Sequence, residues 1–378
     1  MKNTWNRRRF LVSVAGAAFA PLLLTAAVGC GENGGSSAGN ARESEPGAAG
    51  QESSSATAPA PSVFRIGHQK ADTLNLLKLR GTLDKRLAEK GVKIEWLAFP
   101  AGPPLLEALG VNSLDFGSTG ESPAIFAQAA GTPFVYIANI PNTNNNGDGQ
   151  ALIVPEDSPI KTLADLKGKK IAVARASGAH NFLVQILQRA DIPYTNIEPI
   201  YLSPPDARAA FDAGKVDAWS IWDPYLTVAQ RTTGARVLIN AKGIISPGPF
   251  YLASTPFAKA HGAILKTVLE EIEATSRWGR EHIEESAEIL SKDTGVEKET
   301  LIDLAKRRPR GAKYIGLRPI DDGVIAEQQE VADNFGKIGL LPKPVVIKEA
   351  TLSPSEYAAI NPRPVVALSG GENGKGAR

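Results

Sequence analysis

Residues 203–225 read S-P-P-D-A-R-A-A-F-D-A-G-K-V-D-A-W-S-I-W-D-P-Y. A polar, proline-marked turn leads into a short amphipathic helix, Ala207 to Ala213, which Gly214 ends. An apolar strand, Val216 to Ile221, follows and runs out on Trp222 and Asp223. An indole and a carboxylate at the carboxyl end of a strand stand where open α/β sheets bind ligands. The ring can wall an apolar group. The carboxylate can cap the next helix, orient a donor or pair with a ligand amine. Catalytic signatures do not accompany them: no H-E-x-x-H, G-x-S-x-G or G-x-x-x-x-G-K-[ST] run occurs. The glycine-rich end, Gly370 to Lys375, lacks the first Gly and the final hydroxyl of a phosphate loop. The chemistry implied is recognition in a pocket, with no cofactor and no metal. Trp219 stands three residues before Trp222, and odd spacing on a strand puts the two on opposite faces. Trp222 is therefore assigned to the pocket and Trp219 to the core.

The elements that must position this pocket begin after a targeting segment. Asn6-Arg7-Arg8-Arg9-Phe10-Leu11 resembles a twin-arginine export motif, with Asn6 where Ser or Thr is usual. An apolar run, Leu11 to Val28, meets Ala27-Val28-Gly29-Cys30, which resembles a bacterial lipobox. Cys30, the sole cysteine, is the expected lipidation site, so no disulfide can form within the chain. A plain signal peptide or a single-pass anchor is the competing reading. Residues 30–62 hold the cysteine and a Gly, Ser, Ala, Glu and Pro-rich tether with too little apolar surface to order itself. The chain carries 42 basic and 40 acidic residues, and removing residues 1–29 leaves 38 against 40. That balance excludes an electrostatic footprint for nucleic acid. The expected product is an exported monomer on a membrane anchor, facing outward.

Residues 63–350 alternate short apolar strands with amphipathic helices, a pattern of mixed, mostly parallel α/β sheets. Strands are expected at 63–67, 93–99, 114–117, 134–139, 151–155, 170–174, 216–221, 236–239 and 250–254. Helices are expected at 74–90, 104–111, 123–130, 180–190, 207–213 and 224–232, and a mainly helical stretch from 256 to 335. A polar interruption at 141–150 and the Pro247-Gly248-Pro249 turn suggest two lobes, 63–148 with 247–350 and 149–246. Two crossings, near 145–152 and 243–250, would then hinge a cleft that closes on a ligand. Residues 351–378 read as a frayed tail.

Several blocks along these elements resemble a known family. They are Phe64 to Lys70 (F-R-I-G-H-Q-K), Phe99 to Pro103, Leu114 to Gly120, Ser158 to Thr162, Leu166 to Lys170, His180-Asn181 and Asp206 to Tyr225. In that order they resemble the aliphatic sulfonate-binding proteins of ATP-binding-cassette importers. The resemblance covers roughly residues 63–350. It implies the two-lobe type II periplasmic-binding-protein fold, an organosulfonate ligand and a permease partner. Taurine-, nitrate-, arylsulfonate- and pyrimidine-precursor-binding proteins share the fold and stay open as alternatives. So do a sensor that docks on a signalling receptor and a desulfinase-like enzyme. The enzyme relies on a cysteine nucleophile, and here the sole cysteine is Cys30.

Under that resemblance the anion would meet two helix starts, whose free N–H groups and dipoles suit a sulfonate. One is Gly117-Ser118-Thr119-Gly120-Glu121-Ser122-Pro123, with Pro123 expected at the first helical position. The other is Ala176-Ser177-Gly178-Ala179-His180-Asn181. Ser118, Thr119 and Ser177 would add hydroxyl donors, Gln69 an amide and Lys70 a charge. The expected ligand group is Gln69, Lys70, Ser118, Thr119, Gly120, Glu121, Ser177, Gly178, His180, Asn181, Trp222 and Asp223. Two departures stand out: Glu121 where the family more often shows Asp, and a less serine-rich run at 176–179.

Overall fold

The computed structural model describes residues 60–141, 148–244, 246–307 and 316–360. The export segment, Cys30 and the tether to residue 59 lie outside the described residues, as do part of the first crossing and the tail from 361.

The chain opens with β1 (Val63–Gln69), α1 (Thr73–Arg80), α2 (Thr82–Ala88), β2 (Lys93–Phe99), α3 (Gly102–Gly110), β3 (Phe116–Thr119), α4 (Glu121–Ala130) and β4 (Phe134–Asn139). It continues through β5 (Gln150–Val154), β6 (Lys170–Val173), α5 (Gly178–Arg189), β7 (Glu198–Tyr201), α6 (Pro204–Asp212), β8 (Ala218–Trp222), α7 (Tyr225–Thr233) and β9 (Arg236–Asn240). Then come β10 (Phe250–Ser254), α8 (Thr255–Ala260), α9 (Gly262–Glu281), α10 (Ile283–Thr294), α11 (Lys298–Arg307), α12 (Asp322–Lys337) and α13 (Pro354–Ile360).

These strands form two five-stranded sheets, ordered β2-β1-β3-β10-β4 and β7-β6-β8-β5-β9. The sheets repeat one plan. In the first, β1 runs parallel to β2 and β3, while β10 lies antiparallel between β3 and β4. In the second, β6 runs parallel to β7 and β8, while β5 lies antiparallel between β8 and β9. In both, the antiparallel member is the strand that follows a change of sheet. Each sheet with its helices is a mixed α/β lobe.

Alternation along the strands sends side chains into a core on either face. On β10, Tyr251 and Ala253 join Phe64, Ile66, Phe116 and α9, while Phe250 and Leu252 join Leu105, Tyr136, Val331 and Phe335. In the second lobe, Leu152, Val154, Ile171 and Val173 pack on α5, and Ala151, Ile153 and Trp219 pack on Phe211 and Leu226. A fully buried aliphatic or aromatic side chain contributes about 1.5–3 kcal/mol, so four such layers hold the two sheets rigid.

The structure departs from the sequence reading in four places. The helix expected at 74–90 is two helices, because Gly81 takes φ 63° and ends the first. The helix of the Trp-bearing unit begins at Pro204, where Ser203 accepts the N–H of Asp206. Strand β7 was not expected; it carries Pro199, which an edge strand tolerates because one side needs no donor. The expected frayed tail starts with α13, whose Tyr357 and Ile360 enter the first core and whose Tyr357 hydroxyl donates to the carbonyl of Tyr136 at 2.6 Å.

Candidate ligand-binding site

Strand β3 hands the chain directly to α4. Gly120 is the cap and makes no side-chain capping bond, so Glu121 and Ser122 are the first two helical residues. Pro123 is the third helical residue and not the first. The position tolerates it, since first-turn N–H groups have no intrahelical partner. It also leaves this helix start with one fewer donor.

The nearby hydroxyls are already engaged. Ser118 Oγ donates to Asp72 Oδ2 at 2.9 Å, and Thr119 Oγ1 donates to the Gly120 carbonyl at 2.8 Å. Gln69 Nε2 donates to the Ser118 carbonyl at 3.0 Å, which places it at the same edge. Asp72 ties this corner together by also accepting the N–H groups of Gln69 and Asn75.

The second helix start is capped by its own sequence. Ser177 Oγ accepts the His180 N–H at 3.2 Å and donates to the Ala174 carbonyl at 2.6 Å. His180 is buried: its Nδ1 accepts the Ala176 N–H and its Nε2 meets the Tyr194 hydroxyl at 2.7 Å. Desolvation pushes its pKa down to about 4.

The two starts converge. A side chain added at Gly120 would stand 3.7 Å from the Gly178 nitrogen. The Glu121 carboxylate lies against the α5 start: a β-carbon at Gly178 would stand 3.2 Å from Oε2 and 3.3 Å from Oε1. Asn181 Nδ2 donates to Oε1 at 3.0 Å, and Ser122 Oγ donates to it at 3.3 Å. The Glu121 N–H and Ser246, on the second crossing, complete its partners. Glu121 is 5% exposed. A helix N-terminus contributes up to about 2 kcal/mol to a partly buried anion, whereas burying a charge costs several. Desolvation wins, and the carboxyl is pushed above its usual range.

The Trp222 end of β8 joins this corner through Gln150. The two residues pair in register, and Gln150 Nε2 donates to the Gly178 carbonyl at 3.0 Å. Trp219 is fully buried in the core, while Trp222 is half-buried and packs against the hydrophobic residues on both faces of the second sheet. Asp223 turns the other way. Its Oδ1 accepts the N–H and hydroxyl of Thr227, capping α7, and Oδ2 accepts Arg307 Nη1 at 3.2 Å. Arg231 of α7 reaches Asp303 at 3.4 Å and Glu297 at 3.5 Å, and Val228 packs with Leu76 and Leu301. These contacts join the second lobe to α1, to α11 and to Glu297 just before it.

Gln69, Ser118, Thr119, Gly120, Glu121, Ser177, Gly178 and Asn181 thus share one corner, and Trp222 reaches it only through its strand pairing with Gln150. Three expected members stand outside it in their bonding: Lys70, His180 and Asp223, the last turned to Thr227 and Arg307. Lys70 Nζ donates to the Thr294 carbonyl at the end of α10, drawn by that helix's negative pole. The ring of His180 has both nitrogens occupied within the second lobe. Asp72, Gln150, Ser246 and Arg307 were not anticipated. Only Asp72 had a local signal, an Asp just before an apolar helical run.

Two mixed lobes joined by two crossings define the periplasmic-binding-protein class of fold. An alkanesulfonate-binding protein of Xanthomonas axonopodis pv. citri, solved bound to MOPS, matches with a TM-score of 0.73 and 38% identity over 77% of this chain and 98% of its own. The periplasmic aliphatic sulphonate binding protein of Escherichia coli matches with a TM-score of 0.68 and 41% identity over 78% of this chain and 93% of its own. A Bacillus subtilis relative named for aliphatic sulfonate binding is 31% identical over 76% of this chain and 84% of its own. The NMT1/THI5-like family model matches residues 87–284. The chain belongs to the aliphatic sulfonate-binding protein family.

Proposed function

We propose that this chain is the extracytoplasmic solute-binding subunit of an ATP-binding-cassette importer, binding an organosulfonate between its lobes and delivering it to the permease. The observation that carries the reading is the convergence of the α4 and α5 starts around an anion, here the Glu121 carboxylate, drawing donors from both lobes. A sulfonate presents three acceptor oxygens and one negative charge, and backbone N–H groups with Asn181 and Gln69 match it without a full countercharge. Trp222 walls the carbon skeleton. Asp223, with Arg307, closes the far end of the interface. The lobes divide near residues 148 and 247, and the first extends through α13.

The protein acts by binding and release, without catalysis. Its sole cysteine, Cys30, stands at the lipobox ahead of the body, so the thiolate of a desulfinase-type mechanism has no counterpart in residues 63–350. Export through the Arg7-Arg8 motif and lipidation at Cys30 hold a monomer near the permease. The test is calorimetric titration with methane-, butane- and octanesulfonate, taurine, an arylsulfonate, nitrate and sulfate, in buffers free of sulfonate groups. Micromolar binding, about −8 kcal/mol, to a sulfonate class is expected. Binding of nitrate alone would keep the fold and overturn the substrate.

A further inference from the structure

We propose that Glu121 is a specificity-determining residue that couples ligand binding to a proton: its carboxylate occupies the donors between α4 and α5, and an incoming sulfonate takes those donors while Glu121 stays enclosed beside it as a neutral acid. The inference rests on the functional reading above and deepens it.

Glu121 is the first residue of α4, so its backbone cannot withdraw from the interface without moving the helix. Its carboxylate holds the Asn181 amide, the Ser122 and Ser246 hydroxyls and its own N–H, and it lies against the α5 start. These are the groups an oxyanion would use from either lobe. A sulfonate that takes them leaves the carboxylate with fewer donors and a negative neighbour. Both changes disfavour its ionised form. A proton from solvent resolves the conflict, and the neutral acid then has an O–H to donate to a sulfonate oxygen. The ligand, as a strong-acid anion, does not titrate between pH 5.5 and 8.5, so the proton count reports on the protein.

The charged and titratable neighbours are few. His180 on α5 stays neutral through that window, with its pKa pushed down to about 4. Arg175 precedes α5 and lies over the Tyr201 ring. Asp72 lies beyond Ser118, and its carboxyl is also pushed up by desolvation. On α12, Gln328 donates to the Glu121 carbonyl and to the Tyr136 hydroxyl, and Glu327 pairs with Arg318. Among these described neighbours Asp72 is the group that could imitate the effect, so the variants must separate the two.

Butanesulfonate is titrated into the full chain from pH 5.5 to 8.5, in several sulfonate-free buffers of different ionisation enthalpy. The account expects affinity to strengthen as pH falls, approaching tenfold per unit for one linked proton, with net proton uptake. Glu121→Gln should bind at least tenfold more tightly than the unaltered chain at pH 8, with no pH slope. Glu121→Asp keeps a titrating carboxylate and should keep a slope, which covers the case of a Gln variant that does not fold. A flat profile in the unaltered chain overturns the inference. So does a slope that persists in Glu121→Gln, which would belong to Asp72, or weaker binding by that variant at pH 8. If the unaltered chain binds sulfonate with a flat profile, the inference fails alone; if it binds none at any pH, the functional reading fails and takes the inference with it.

Discussion

The starts of α4 and α5 occupy equivalent places in two sheets of the same plan, yet they solve the same problem differently. At α5, Ser177 supplies its own hydroxyl to the His180 N–H, and a small residue, Gly178, opens the helix. At α4, Gly120 offers no side chain, Pro123 removes a donor, and a carboxylate opens the helix. One start is satisfied within itself. The other sends its charge across to the first. An anion site built this way draws donors from both lobes, while the competing carboxylate belongs to the first.

The largest break in that asymmetry is at Gly178. Gly178→Val puts a branched side chain against both Glu121 oxygens and should weaken sulfonate binding at least about 100-fold, roughly 2.7 kcal/mol; titration calorimetry reads the loss and circular dichroism checks the fold. Asn181→Ala removes the donor that crosses between lobes and leaves a buried carboxylate with one partner fewer, at a cost of about 1–3 kcal/mol. Denaturant unfolding at pH 8 and pH 5 checks this, and the loss should shrink at pH 5, where more of Glu121 is protonated. Ser177→Ala removes the cap and the hydroxyl's bond to the Ala174 carbonyl, and should cost about 1–2 kcal/mol at either pH. Arg307→Ala sits at the far end of the interface in a partly exposed pair, worth about 0–1 kcal/mol; a loss above 2 kcal/mol in the same unfolding experiment would make that end, and not the helix starts, the main clamp.

Protonation gives the comparison a second handle. Folding pushes the Glu121 carboxyl up, so its contribution is fully present below the unfolded-state pKa and lost as pH rises through the folded one. Glu121→Gln should therefore melt higher than the unaltered chain at pH 8 and at the same temperature near pH 4. No equivalent crossover is expected for a substitution at Ser177, which does not titrate.

Much of this architecture was legible because local chemistry set it. Strands Lys93–Phe99, Phe134–Asn139 and Phe250–Ser254 follow from apolar runs bounded by turn residues. The two helix starts follow from Gly and Ser after a strand. What escaped depended on partners distant in sequence. Arg307 meets Asp223 across 84 residues, and Lys70 meets Thr294 across 224. No run of neighbours encodes such a meeting. The hydroxyls of Ser118, Thr119 and Ser177 were expected to serve a ligand; each is buried, and a buried hydroxyl takes a protein acceptor when one is near. Strand β7 was obscured by Pro199, whose cost vanishes only because β6 is its sole neighbour.

The central claim is that the anion sits between the two helix starts. A crystal structure of the chain with butanesulfonate tests it most directly. The account predicts the sulfonate between Gly120 and Gly178, with Asn181 donating to it and the Glu121 carboxyl displaced from Asn181. A sulfonate bound elsewhere, with the Glu121–Asn181 bond intact, would contradict it.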